Sequence, residues 1–114
     1  LPLLEFHGGY GYKAMDVYKF KNLRSQFYWI VAKKLEKGMY SFKKLPQKEF
    51  ELLRKQLCSI KVKLPDALGR IQIETKEDML ARGLESPDLA DLLMMSEYAY
   101  FMGKMSDIKS YAYR

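Results

Sequence analysis

The chain has one cysteine, Cys58, and that scarcity removes several chemistries at once. A lone thiol can form neither an internal disulfide nor a cysteine zinc cluster, and it fits a reducing cytosol. No apolar run approaches the roughly 18 residues that cross a bilayer, so no membrane partner is expected. A charged-then-apolar leader with a small-residue cleavage site is also missing, so nothing points to secretion. Internal repeats, low-complexity segments and dividing linkers are absent, which makes residues 1–114 one domain or a piece of one. The opening Leu1-Pro2, in place of Met, suggests a piece of something longer.

What is present suits a packed protein. Hydrophobic residues make up 48% and aromatics 14%, enough for an interior and too much for disorder. The charge is unevenly divided. Residues 1–65 hold 14 Lys/Arg against 5 Asp/Glu, whereas residues 66–114 hold 6 against 9. Such a split suits a surface that attracts phosphates beside a place where carboxylates collect, and it equally suits solvated helix faces.

Residues 3–6, Leu-Leu-Glu-Phe, read as a buried strand halted by the Gly8-Gly9 turn. A helix is predicted over residues 22–37, with Leu23, Phe27, Ile30, Val31 and Leu35 on one face. Asn22 is its N-cap, Lys33, Lys34 and Lys37 suit its C-terminal dipole, and Gly38 ends it. Trp29 and its aromatic neighbours could stack on bases, but burial is the commoner use. Residues 39–42 read as a short strand, and Pro46 opens a second helix over residues 46–58. Residues 60–64 and 70–74 alternate apolar and charged side chains around Pro65-Asp66-Ala67-Leu68-Gly69, predicting a β-hairpin over 60–74. Its wet face carries Lys61, Lys63, Arg70, Gln72 and Glu74, where cross-strand ion pairing and phosphate contact are equally served. Thr75 and Asp78 form a capping box for a short helix closed by Gly83. A last helix starts with Ser86 as N-cap and Pro87 behind it, and runs to about residue 102. The expected fold class is therefore α/β: a few strands flanked by about three main helices.

Asp88 and Asp91 stand three apart at the start of that last helix, so both carboxylates can reach one cation. Hard cations such as Mg²⁺ take oxygen ligands, and phosphodiester hydrolysis commonly uses two such ions. Acidic residues in a first helical turn are also favoured by the helix dipole with no metal present. Spacing alone leaves both readings open.

The stretch Gly69-Arg70-Ile71-Gln72-Ile73-Glu74-Thr75-Lys76-Glu77-Asp78-Met79, then Arg82-Gly83, then Ser86-Pro87-Asp88-Leu89-Ala90-Asp91, resembles the end of the nuclease domain of bacteriophage terminase large subunits. The upstream order is similar more loosely: Phe6, Gly8-Gly9, Asn22-Leu23-Arg24, Tyr28-Trp29 and Pro46. The likeness covers about residues 3–98. Leu92-Leu93 departs from the more usual Ala-Leu pair, a packing difference only.

This resemblance implies a partial ribonuclease-H-like fold and a metal-dependent endonuclease that cuts concatemeric viral DNA during packaging. It implies Asp88 and Asp91 as catalytic metal ligands for Mg²⁺ or Mn²⁺, with family members differing in which of the two is used. The earlier acid-bearing strands of the family precede the part matched by residues 3–6. The chain then corresponds to a C-terminal portion of the domain, needing further ligands from outside and inactive alone. Glu5 and Glu74 do not match those ligands and are explained by a strand edge and Lys partners. Arg24, Lys61, Lys63, Arg70 and Lys76 are the expected contacts to double-stranded DNA, of which Arg24 and Lys76 lie in matched segments. The implied partners are a packaging motor, a small terminase subunit and a portal, in the cytoplasm of an infected or lysogenic bacterial cell. A non-catalytic DNA-binding or motor-docking module is the alternative. An uncovered sheet edge would lead to self-association.

Overall fold

The computed structural model describes residues 13–112, with side chains through residue 106. The expected strand over residues 3–6 and the Gly8-Gly9 turn lie outside the described residues.

Helix α1 spans Leu23–Glu36. The Asn22 side chain accepts from the Ser25 N–H at 2.9 Å, satisfying one of the amides that a helix start leaves unpaired. At the other end Gly38 takes φ 65°, and the Met39 N–H turns back to the Lys34 carbonyl at 3.0 Å. That left-handed residue is cheap for glycine and costly for side chains with a Cβ. Helix α2 spans Gln47–Ser59 behind Pro46. Helix α3, Lys76–Ala81, begins on a reciprocal capping box: Asp78 N–H to Thr75 Oγ1 at 3.0 Å, and Thr75 N–H to Asp78 Oδ2 at 3.1 Å. Helix α4 spans Asp88–Ala112 and passes straight through Gly103. It is about ten residues longer than its sequence suggests, because one glycine costs a helix only about 1 kcal/mol.

The core lies where α1 crosses α4, closed by α2. Leu23, Phe27, Tyr28 and Val31 of α1 meet Ala90 and Met94 of α4, with Leu53 of α2 and Ile73 completing the cluster. Phe27 packs edge-on against Tyr98 and Phe101 of α4, with ring centroids at 5.5 and 5.9 Å. Complete burial of such a ring contributes about 2–3 kcal/mol, so Phe27 is a main tie between the two helices.

The α/β expectation, and with it the partial ribonuclease-H-like sheet and the 60–74 hairpin, is overturned. Among the described residues regular structure is helical, and strand pairing is reduced to two isolated bridges, Val62 with Ile73 and Phe20 with Ile71. The turn itself forms, since Asp66 Oδ1 accepts from the Leu68 and Arg70 amides. The ladder fails because other groups take its hydrogen bonds. Lys63 N–H reaches the Gln72 carbonyl at 2.8 Å and Glu74 N–H reaches Lys61 at 3.0 Å. The Lys61 amide, however, donates to the Glu74 carboxylate, and the Glu74 carbonyl it would need accepts from Arg24 Nε. Ile71 faces the opposite edge, where its backbone pairs with Lys19 and Lys21. Residues 39–42 likewise form no strand. No described helix is long and apolar enough to cross a membrane.

Candidate functional site

The two aspartates of α4 lie in different surroundings. Residues spaced three and four apart along α4, Pro87, Ala90, Asp91, Met94 and Glu97, form its buried stripe. Asp91 falls on that stripe and is 2% exposed, whereas Asp88 falls off it and faces solvent. Asp88 Oδ1 accepts from Ser86 Oγ at 2.6 Å. Ser86 thus acts on a side chain rather than capping the helix, and the Pro87 carbonyl accepts the first intrahelical bond, from Asp91 at 2.8 Å. Leu92, adjacent to the pair, is 59% exposed, while Leu89 and Leu93 pack partly buried against the core.

Three donors converge on the Asp91 carboxylate. Arg24, completely buried on α1, donates from Nη1 to Oδ1 at 2.8 Å. The Tyr28 hydroxyl, one turn along the same helix, donates to the same oxygen. Lys76 at the start of α3 places Nζ 2.9 Å from Oδ2. Arg24 is held in turn by Nε donation to the Glu74 carbonyl at 2.9 Å and by the Tyr28 ring, 4.9 Å away. One buried carboxylate therefore joins α1, α3 and α4. In a low-dielectric interior such a group persists only when paired and hydrogen-bonded, as Asp91 is.

A second acid, Glu74, is 5% exposed and lies beside this cluster in sequence. Arg82 grips it in two places, Nε to Oε2 at 2.8 Å and Nη2 to Oε1 at 2.7 Å. The bidentate Arg82 contact holds the Glu74 carboxyl below its ordinary range, against the opposing effect of burial, with the Lys61 amide adding to it. The partner is thus an arginine where a lysine was expected. Arg82 also ties the loop to α2 through the Ser59 carbonyl at 2.7 Å.

The expected DNA contacts are dispersed. Arg24 is interior and engaged by Asp91. Lys76 is partly exposed on the same carboxylate, Lys63 pairs with Asp78 at 3.1 Å, and Arg70 pairs with Asp66 at 2.8 Å. Lys61 is exposed. Sequence reasoning missed the interior role of Arg24, although the signal exists: Arg24 shares the α1 stripe with Phe27, Tyr28 and Val31. It also missed Glu97, a buried acid on α4 that accepts from Lys34 at 2.6 Å and from the Tyr40 hydroxyl at 2.7 Å. Burial and that neighbouring acid push the Tyr40 phenol well above its usual range.

Whether these residues suit a divalent ion can be judged from the carboxylates. Both oxygens of Asp91 face cationic or hydroxyl donors, and Asp88 has solvent and Ser86. Among the described residues no three His, Cys, Asp or Glu side chains gather as a metal-binding set. Two carboxylates so arranged do not by themselves fit a resident ion, which needs a pre-organised constellation.

No protein-family model and no curated protein matches the chain. Solved structures do. One is a point mutant of the nuclease domain of the large terminase subunit of bacterial virus Sf6 with manganese. It aligns at TM-score 0.61 and 27% identity over 75% of this chain. Another, a mutant portion of the large terminase subunit from bacteriophage Sf6 with calcium, aligns at TM-score 0.62 and 28% identity over 79% of this chain. The chain spans 47% of each of those two proteins. By sequence pattern and by structure alike, this chain is similar over about three quarters of its length to the nuclease domain of a bacteriophage large terminase subunit.

Proposed function

We propose that the chain is the C-terminal portion of a terminase-type nuclease domain, and that its parent protein cuts concatemeric viral DNA by metal-dependent hydrolysis during packaging. The observation that carries this reading is the alignment with the Sf6 nuclease domain at 27–28% identity, whose structures hold manganese and calcium. Asp88 and Asp91 would form one wall of a Mg²⁺ or Mn²⁺ site whose other ligands lie outside this chain. Within the chain, Arg24 and Tyr28 orient the Asp91 carboxylate, and Lys76 balances its charge. Lys61, Lys63, Arg70 and Lys76 would contact duplex DNA through its phosphates, a largely sequence-independent and salt-sensitive interaction. The packaging motor, small terminase subunit and portal belong to this proposal as partners of the parent protein, in the host cytoplasm.

A second reading is a non-catalytic DNA-binding or motor-docking module. It is favoured by the engagement of Asp91 with Arg24, Tyr28 and Lys76 inside the chain. One experiment separates the two. Supercoiled plasmid is titrated with Mn²⁺ or Mg²⁺ in the presence of the chain alone and of a form extended N-terminally to the full nuclease domain. The nuclease reading expects no cutting by the chain, cutting by the extended form, and loss of cutting with Asp88→Asn or Asp91→Asn. An extended form that neither cuts nor binds Mn²⁺ would leave the docking module standing.

A further inference from the structure

Among the described residues, most cations with a defined neighbour are paired with a carboxylate. Arg24 and Lys76 pair with Asp91, Lys34 with Glu97, Arg54 with Glu51, Lys63 with Asp78, Arg70 with Asp66 and Arg82 with Glu74. Lys19 and Lys33 are held differently. Lys19 Nζ lies 5.4 Å from the Phe20 ring centroid and 5.8 Å from that of Trp29. Lys33 Nζ lies 4.7 Å from the Trp29 centroid, with Glu36 a looser neighbour at 3.5 Å on an exposed rim. An aromatic face positions an ammonium through its quadrupole and leaves the positive charge uncancelled. The platform is itself fixed, since Trp29 packs against the buried Phe20 at 6.3 Å.

This strip is continuous with the basic turn region. Ile71 N–H donates to the Lys19 carbonyl at 2.8 Å, and Lys21 N–H donates to the Ile71 carbonyl at 3.0 Å. Arg70 Nη1 reaches the Val17 carbonyl at 3.5 Å. Lys21 is exposed, and among the described acids Asp16 accepts from the Tyr18 and Lys19 amides, Asp66 is paired with Arg70, and Glu36 stands beside Lys33. Resting on the DNA reading above, we infer that Lys19 and Lys33, mounted on Trp29, form with exposed Lys21 a second phosphate-binding strip that extends the duplex footprint from the 60–74 turn along the outside of α1. With Lys19 and Lys33 ammonium groups set against the Trp29 ring, the strip reads backbone phosphates and not stacked bases. Its specificity is for charge and groove spacing, independent of sequence.

Trp29 is the chain's single tryptophan, so the platform carries its own reporter. The test uses the whole chain, a labelled duplex of mixed sequence followed by anisotropy across a salt series, and Trp29 emission in the same titrations. The expected result is a duplex-induced change in Trp29 emission that salt reverses. Lys19→Gln with Lys33→Gln should weaken binding and make the slope of log K against log salt shallower by about 2, near 0.9 per phosphate contact. Lys61→Gln with Lys63→Gln serves as the separate check of the DNA reading. If that pair lowers the slope while the Lys19 and Lys33 changes do not, and Trp29 emission stays still, the strip is wrong and DNA binding stands. Absence of duplex binding by the unaltered chain at low salt sinks both. Preference for single strands or for an acidic peptide over duplex also overturns the assignment, giving the strip a different occupant.

Discussion

Replacing Arg24 with Met removes one half of a fully buried ion pair while keeping much of the side-chain volume. Removing one partner of such a pair costs about 3–5 kcal/mol, because the remaining charge is left without compensation. Here Asp91 keeps Lys76 and the Tyr28 hydroxyl, which softens the loss. Against that, the Glu74 carbonyl loses a charged donor, worth about 1.5–3 kcal/mol. The expected net is about 3 kcal/mol, a large share of the roughly 5–15 kcal/mol of a whole domain. Asp91→Leu is expected to cost more, about 4 kcal/mol, since Arg24 has no route to water. The double replacement removes both charges together, so it should cost at least about 2 kcal/mol less than the sum of the singles. Urea unfolding near neutral pH, followed by Trp29 emission, measures all four proteins. Additive effects, or an Arg24→Met variant within about 0.5 kcal/mol of the parent, would refute the view that this carboxylate joins α1 to α4.

Other consequences follow from the same geometry. The Glu74 carboxyl is lowered by Arg82, so its stabilisation is complete above the unfolded carboxylate range and is lost as pH falls through the lowered folded value. Arg82→Gln should therefore move acid unfolding, read by circular dichroism, to higher pH; an unchanged midpoint contradicts the assignment. Thr75→Ala removes half of the α3 capping box and should cost about 1 kcal/mol in urea, with Thr75→Ser restoring most of it. Tyr40, held beside buried Glu97, should ionise later than the exposed tyrosines in an alkaline absorbance titration, and Glu97→Gln should bring it closer to them. Val62, Leu64 and Leu68 stand 60%, 86% and 76% exposed, so concentration-dependent association is expected in sedimentation and should diminish when Leu64 and Leu68 become serine.

Features decided within a few residues were legible in the sequence. Asn22 caps α1, Gly38 ends it, and Thr75 with Asp78 opens α3, because each depends on hydrogen bonds spanning at most about five residues. The Gly69–Asp91 pattern was likewise enough to mark the terminase likeness, which the structural alignment bears out. Tertiary structure decided what depends on distant partners. Alternation over residues 60–74 looks like paired strands, yet the Glu74 carboxylate and the distant Arg24 take the Lys61 amide and the Glu74 carbonyl that would have bonded to each other. Three-residue spacing places Asp88 and Asp91 near one another on α4, but the packing of α1 puts Asp91 inside with Arg24, 67 residues away in the chain, and leaves Asp88 outside. A carboxylate can hold a metal, cap a helix or neutralise a buried arginine with the same two oxygens. Its own sequence neighbourhood chooses the helix, and only the elements packed against that helix choose the partner.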